Sequence, residues 1–247
     1  MMAKGETRTR IKNRHALIAP DGLVPSVLPG ISGAAANVII SPAMGAGLTL
    51  LLITFEAKGR AVFAAGDIES CAYVMDGACD ATADDQSARL ERGGFVFAPA
   101  GSSLELASLA ANTRLAVFQK YYAELAGVSA PEPVFGNESE REGMPFLGDP
   151  DARLKTLLPD VPAFDMAVNL FTYQPGARLP FVETHIMEHG LIMLEGEGVY
   201  RLEDDWYPVQ AGDAIWMAPF CPQWFVAMGK GPASYLYYKD INRSPME

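Results

Sequence analysis

Short apolar runs closed by glycine, proline or aspartate recur along the chain, and the set occurs twice. Val74-Met-Asp-Gly77 is answered 119 residues later by Met193-Leu-Glu-Gly196. The same offset sets Gly93 against Gly212 and Lys120 against Lys239. With one residue of slip, Phe95-Val-Phe-Ala-Pro99 matches Ile215-Trp-Met-Ala-Pro219. The runs of the first copy are Val38–Ile40, Leu48–Phe55, Cys71–Met75, Phe95–Phe97 and Leu115–Phe118. Those of the second are Val168–Tyr173, Leu191–Leu194, Ala214–Met217 and Tyr235–Tyr238. Runs this short between turn formers are strands, and many of them in series make a sandwich or barrel. A repeat of the whole series means a duplicated β domain.

The pattern divides the chain into four parts. Residues 1–36 read as an N-terminal tail and lead-in, with 1–14 loose and polar. Residues 37–127 form a first barrel, 128–160 a linker that is proline-rich and acidic from Val128 to Arg141, and 161–247 a second barrel. Helix signals are few; Pro150–Leu158 is expected to make one or two turns.

With 49% hydrophobic and 20% charged residues, the chain can bury a core and is not disordered. A net charge of −11 argues against nucleic acid and anionic membrane as partners, both of which need basic patches. The three cysteines, Cys71, Cys79 and Cys221, show no pairing pattern, which points to a reducing compartment. Met1–Arg14 has no apolar stretch of the kind a secretory signal carries, and no run approaches the ~20 residues of a membrane span. The expectation is a soluble, cytoplasmic protein. Exposed barrel edges and an apolar first domain add the expectation of a homo-oligomer.

The chemistry concentrates in Glu183-Thr-His185-Ile-Met-Glu188-His189-Gly190, which holds two of the three histidines. Neutral imidazoles and a carboxylate are ligands for Zn, Mn, Fe or Ni. On a strand Glu183 and His185 share a face, and the even offset of His189 lets it join them. His185–His189 also spells H-x-x-E-H, which binds metal from a helix. Pro175, Gly176 and Pro180 upstream and Gly190, Gly196 and Gly198 downstream argue against that helix. His15, alone near the N-terminus, reads as a packing or surface residue.

The repeat localises the chemistry. Carried back by 119 residues, Glu183, His185 and His189 fall on Ala64, Gly66 and Ser70. Four residues after the matched prolines stand Ser103 in the first copy and Gln223 in the second. The second copy thus holds four possible ligands and the first holds none. Glu188, Glu195 and Glu197 read as solvated-face residues. Cys221, two residues before Gln223, is a candidate to line the pocket, but no His-and-acid partner set marks it as a nucleophile.

A duplicated β barrel with a Glu/His/His/Gln set resembles a bicupin, two tandem cupin jelly-roll barrels. Glu183 takes the place of the usual first histidine, His189 that of the carboxylate and Gln223 that of the last histidine. That departure resembles the (S)-ureidoglycine aminohydrolases of purine breakdown, whose E-T-H-x-x-E-H-G motif stands intact at Glu183–Gly190. Pro20-Asp-Gly-Leu23, Gly198-Val-Tyr200 and Tyr238-Lys-Asp-Ile-Asn-Arg243 stand in the family's order. The resemblance implies Mn²⁺ held by Glu183, His185, His189 and Gln223, and substrate-contacting roles for Tyr200, Tyr235 and Lys239. It implies a small ureido substrate, with (S)-ureidoglycine and water converted to (S)-ureidoglycolate and ammonia. The competing expectations are a metal-dependent bicupin acting on a small oxo- or carboxylic acid, and a non-catalytic metal-stabilised binder.

Overall fold

The computed structural model describes residues 6–245. It is all-β, as the run pattern predicts, with three short 3-10 helices among the described residues, Pro20–Gly22, Pro42–Met44 and Glu138–Glu140. The strands up to the middle of the chain are β1 (Arg10–Ile11), β2 (His15–Ile18), β3 (Ile31–Ile40), β4 (Thr49–Phe63), β5 (Ile68–Asp76), β6 (Ala78–Ala83), β7 (Gln86–Glu91), β8 (Gly94–Ala98), β9 (Leu104–Ser108), β10 (Arg114–Tyr121) and β11 (Val134–Asn137). There follow β12 (Met144–Phe146), β13 (Asp149–Thr156), β14 (Met166–Tyr173), β15 (His189–Glu195), β16 (Glu197–Leu202), β17 (Asp205–Gln210), β18 (Ala214–Met217), β19 (Gln223–Ala227) and β20 (Ala233–Asp240). Among the described residues no helix is long and apolar enough to cross a membrane.

A nine-stranded sheet, ordered β11-β8-β5-β10-β4-β9-β6-β7 with β3 on β4, forms the first half. β4 carries the sheet round its corner. Its first part, Thr49–Thr54, pairs with β10, and its last, Arg60–Phe63, pairs with β9. The bend falls at the exposed stretch Glu56–Lys58, where Lys58 has φ 66°. The sheet so closes into a cupin-like barrel around Leu51, Ile53, Phe55, Val74, Val96 and Leu106. In the second half an eight-stranded sheet, β1-β2-β18-β15-β20-β14-β13-β12, is accompanied by a three-stranded sheet, β17-β16-β19. Their core holds Leu191, Met193, Tyr200, Phe225 and Tyr235.

The two halves meet back to back. In β10, Leu115 and Val117 enter the first barrel, whereas Ala116 and Phe118 face a separate cluster with Ile192, Trp216, Leu236 and Tyr238 of the second half. β20 mirrors this, with Tyr235 and Tyr237 inside the second half and Leu236 and Tyr238 at the seam. Strands covered on both faces lose the apolar–polar alternation and read as continuous apolar runs. That is why Leu115–Phe118 and Tyr235–Tyr238 stand out in the sequence. Each large apolar side chain buried at the seam contributes about 1.5–3 kcal/mol relative to exposure.

Three segments differ from the sequence expectation. Pro150–Leu158 is not helical: most of it is β13, which pairs with β12 and β14. Ala152 and Leu154, two apart, pack into the second-half core while Arg153 is exposed, the period of a strand. Within the stretch read as a loose tail, Arg10–Ile11 form β1, which pairs with β2, and β2 in turn pairs with β18 of the second half. Arg8 grips the buried Asp213 with two hydrogen bonds of 2.5 and 2.7 Å. Within the linker, β11 pairs with β8 of the first half. The lead-in thus gives β1 and β2 to the second-half sheet, and the linker gives β11 to the first-half sheet and β12 and β13 to the second. His15 is fully buried at this junction, its ring nitrogens 3.1 Å from Glu203 and 3.0 Å from Tyr207.

Candidate metal centre and active site

The candidate residues come from four strands of the second half and from the segment that precedes β15. Glu183 and Gln223 lie opposite each other in an isolated antiparallel bridge, exchanging backbone hydrogen bonds of 2.8 and 2.9 Å. Directly opposed residues present side chains to the same face. His189 opens β15 and is the Cα partner of Lys239 on β20. Alternation along β20 puts Tyr235, Tyr237 and Lys239 on that wall together. Tyr200 comes from β16, which pairs with β19. His185 lies in the irregular segment between Glu183 and β15, not in a strand and not in a helix.

These side chains line one cavity of about 210 Å³, whose wall also includes Phe146, Phe171 and Leu179. His185 Nε2 is 3.1 Å from Gln223 Nε2 and 4.0 Å from Glu183 Oε2. The rings of His185 and His189 are centred 4.8 Å apart. The Tyr200 hydroxyl donates to Gln223 Oε1 at 3.2 Å, and the hydroxyls of Tyr173 and Tyr235 are 3.0 Å apart. The structure therefore brings together all seven residues singled out from the sequence.

Electrostatics follow from burial. It pushes His189 down to about 3, helped by the neighbouring His185 and Lys239, which oppose a second positive charge there. His185 is lowered too, by burial first and Lys239 second. Both imidazoles are thus neutral, the form that ligates metal. Burial raises the Glu183 carboxyl, and Lys239 opposes that rise. Burial likewise raises the hydroxyls of Tyr200, Tyr235 and Tyr237, which remain protonated hydrogen-bond donors.

Among the described residues, no group of three or more His, Cys, Asp or Glu side chains is placed to hold a metal ion by itself. The convergence here includes an amide. A carboxylate, two neutral imidazoles and an amide oxygen are a fairly hard donor set that fits a divalent cation of the Mn²⁺ kind. The buried Nδ1 of His185 has no hydrogen-bond partner. At His189, Nδ1 lies 3.3 Å from the carbonyl of Met187, and donation there leaves Nε2 with its lone pair.

A cupin-domain family model matches residues 169–238. Over 245 residues the chain is 38% identical to the (S)-ureidoglycine aminohydrolase of Arabidopsis thaliana, covering 98% of this chain and 80% of that one. The (S)-ureidoglycine aminohydrolase of Escherichia coli (strain K12) is 35% identical over 232 residues, 92% of this chain and 88% of its own. The chain belongs to the (S)-ureidoglycine aminohydrolase family. It is an enzyme of that hydrolase type. Among solved structures, protein Ylba of E. coli superposes with a TM-score of 0.87 at 33% identity, over 96% of both chains. Oxalate decarboxylase of Bacillus subtilis superposes with a TM-score of 0.73 at 12% identity, over 95% of this chain and 78% of that one. The second likeness is one of fold and supports a bicupin arrangement.

Within this aminohydrolase-family site, two sequence readings are corrected and one residue is added. Glu188 is not on a solvated face: it is 6% exposed, and Trp216 Nε1 donates to its Oε1 at 2.7 Å. Cys221 is buried outside the residues that line the cavity, its Sγ 3.7 Å from the Pro222 carbonyl, and burial pushes its thiol up to about 11. Tyr237, not singled out from the sequence, stacks on His189 with ring planes 18° apart and centres at 5.7 Å. Its position two residues from both Tyr235 and Lys239 was the available signal. The repeat partners Lys120 and Lys239 diverge: Lys120 is ion-paired to the buried Asp165, whereas Lys239 lines the cavity.

Proposed function

We propose that the protein catalyses the hydrolytic deamination of (S)-ureidoglycine to (S)-ureidoglycolate and ammonia with Mn²⁺ as cofactor. The observation that carries this reading is the convergence of Glu183, His185, His189 and Gln223 on the cavity that Tyr200, Tyr235 and Lys239 also line, in a member of this family. The four would hold the ion, whose chemistry when bound is that of a Lewis acid and template for a substrate with amine and carboxylate groups.

The chain's own residues supply the rest. Lys239 offers its ammonium to the substrate carboxylate as a point charge. The Tyr200 hydroxyl, by donating to Gln223 Oε1, fixes which way the amide faces. Tyr235, its hydroxyl beside that of Tyr173, presents a protonated donor for the ureido oxygen. His189, neutral and stacked on Tyr237, keeps one ring orientation. Phe146, Phe171 and Leu179 form an apolar wall that limits water to the molecules the reaction needs.

The stereochemistry of the product tests this reading. Chiral chromatography of the product from fresh (S)-ureidoglycine is expected to give the (S)-ureidoglycolate enantiomer alone. A racemic product at the rate of spontaneous decay would overturn it.

A further inference from the structure

Glu188 stands between two of the proposed ligands in sequence but faces away from them in space. At the start of β15, His189 lines the cavity, so the residues on either side of it turn to the seam between the halves. Gly190 shows how close that seam is. A Cβ there would lie 2.8 Å from Leu48 Cδ1 and 3.1 Å from Ile40 Cδ1, both of the first half.

The Glu188 carboxylate is held at the same seam. The backbone N–H of Gly47 donates to Oε1 and Oε2, each at 3.0 Å, and Trp216 Nε1 donates to Oε1 at 2.7 Å. A Cβ on Gly47 would sit 3.0 Å from Oε2, so only glycine allows this approach at no cost. The backbone N–H of Glu188 in turn donates to Asp240 Oδ1, next in sequence to Lys239. The irregular segment that carries His185 is therefore tied at its far end by three groups, one of them from the first half. Hydrogen bonds to a carboxylate are about twice as strong as neutral ones, which suits a single-residue anchor.

The repeat shows that this clamp is specific to the second copy. Glu69 occupies the corresponding place 119 residues earlier and is fully buried, yet among the described residues no backbone or tryptophan donor of the kind that holds Glu188 reaches it, and its neighbour is another carboxyl, Asp165. The clamp has been built only where the metal ligands are.

We propose that Glu188 is a positioning residue through which the first half, itself without ligands, fixes the His185 segment and so sets the affinity of the metal centre. The link to affinity rests on the metal reading given above; the link to segment order does not.

The test uses the full chain carrying Glu188→Gln, Gly47→Ala or Leu50→Ala. Leu50→Ala cuts a cavity in the same seam core without touching the clamp. The readouts are hydrogen exchange of residues 183–189 without added metal, Mn²⁺ affinity by electron paramagnetic resonance of the free ion, and thermal midpoint. Glu188→Gln sets an amide NH₂ against a backbone donor, and Gly47→Ala pushes the carboxylate away while leaving every ligand intact. Both are expected to speed exchange in 183–189 and to weaken Mn²⁺ about tenfold to a hundredfold. Leu50→Ala is expected to lower the midpoint with exchange in 183–189 and Mn²⁺ affinity unchanged. Wild-type exchange and affinity in the folded Glu188→Gln and Gly47→Ala proteins would overturn the positioning role while leaving the metal site standing. Selective loss of protection in a protein that never binds Mn²⁺ would keep the positioning role and overturn the metal reading. Loss of affinity in Leu50→Ala equal to that in Gly47→Ala would also overturn the proposal, since general loosening would then suffice.

Discussion

His189 and Lys239 are Cα partners across β15 and β20, so an imidazole and an ammonium share one wall of the cavity. Burial and the neighbouring charges keep the imidazole neutral, which leaves Lys239 as the cation available to an anionic substrate. Replacing it by glutamine removes a charge-assisted hydrogen bond of about 1.5–3 kcal/mol. Lys239→Gln is therefore expected to raise KM for (S)-ureidoglycine about 10- to 100-fold, with a smaller effect on kcat. Steady-state ammonia release measures both; an unchanged KM would remove Lys239 from substrate binding.

Tyr200 acts on Gln223 in the structure, through its hydroxyl bond to Oε1 at 3.2 Å. Its ring packs on Phe225 and Tyr235, with centres 5.4 and 6.3 Å away, and Tyr200→Phe keeps that packing. The amide loses its orienting donor. Mn²⁺ affinity is expected to fall about tenfold, as losses of partners that orient a ligand do, with the thermal midpoint nearly unchanged. Titration with Mn²⁺ followed by a melting scan checks both halves of the statement.

Phe118 sits fully buried at the seam, stacked on Tyr238 at 6.2 Å. Removing a buried phenyl ring costs about 3–5 kcal/mol. Phe118→Ala is expected to lose stability on that scale in urea denaturation while the surviving folded protein keeps its KM. A loss below about 1 kcal/mol would mean that the seam contributes far less than its burial implies.

Glu69 gives the protein a pH-dependent stability. Burial, with the adjacent Asp165, raises its carboxyl well above the usual carboxylate range, against the opposing pull of Lys120 and Arg243. Folded, it holds its proton to a higher pH than the unfolded chain does. The contribution is whole below the unfolded value and is lost as pH rises through the folded one. The urea midpoint of the wild type is expected to fall between pH 6 and pH 9, and Glu69→Gln is expected to flatten that fall. A fall of equal size in the variant would place its origin elsewhere.

The fold could be read because its signals are local. Glycines and prolines end the strands, and seam strands covered on both faces appear as unbroken apolar runs. The candidate site could be read because Glu183, His185, His189 and Gln223 have no counterparts at Ala64, Gly66, Ser70 and Ser103. What was not legible is long-range. β2 pairs with β18 of the other half, and β11 pairs with β8 rather than with the strand nearest to it in sequence. Glu188 looks solvated until Gly47 and Trp216 are known to cover it. β13 carries a local helix signal, because Ala, Arg, Leu and Lys favour a helix, while pairing with β14 fixes a strand. Tyr237 is legible only from its place two residues from both Tyr235 and Lys239.

The most direct measurement is ammonia release from freshly prepared (S)-ureidoglycine, corrected for spontaneous decay, by the protein with Mn²⁺, after chelation, and in the His189→Ala variant. Release is expected with Mn²⁺, to be lost on chelation and restored by re-addition, and to be absent in His189→Ala. Release that survives both chelation and His189→Ala would contradict the metal centre, and no release from protein that demonstrably binds Mn²⁺ would contradict the reaction.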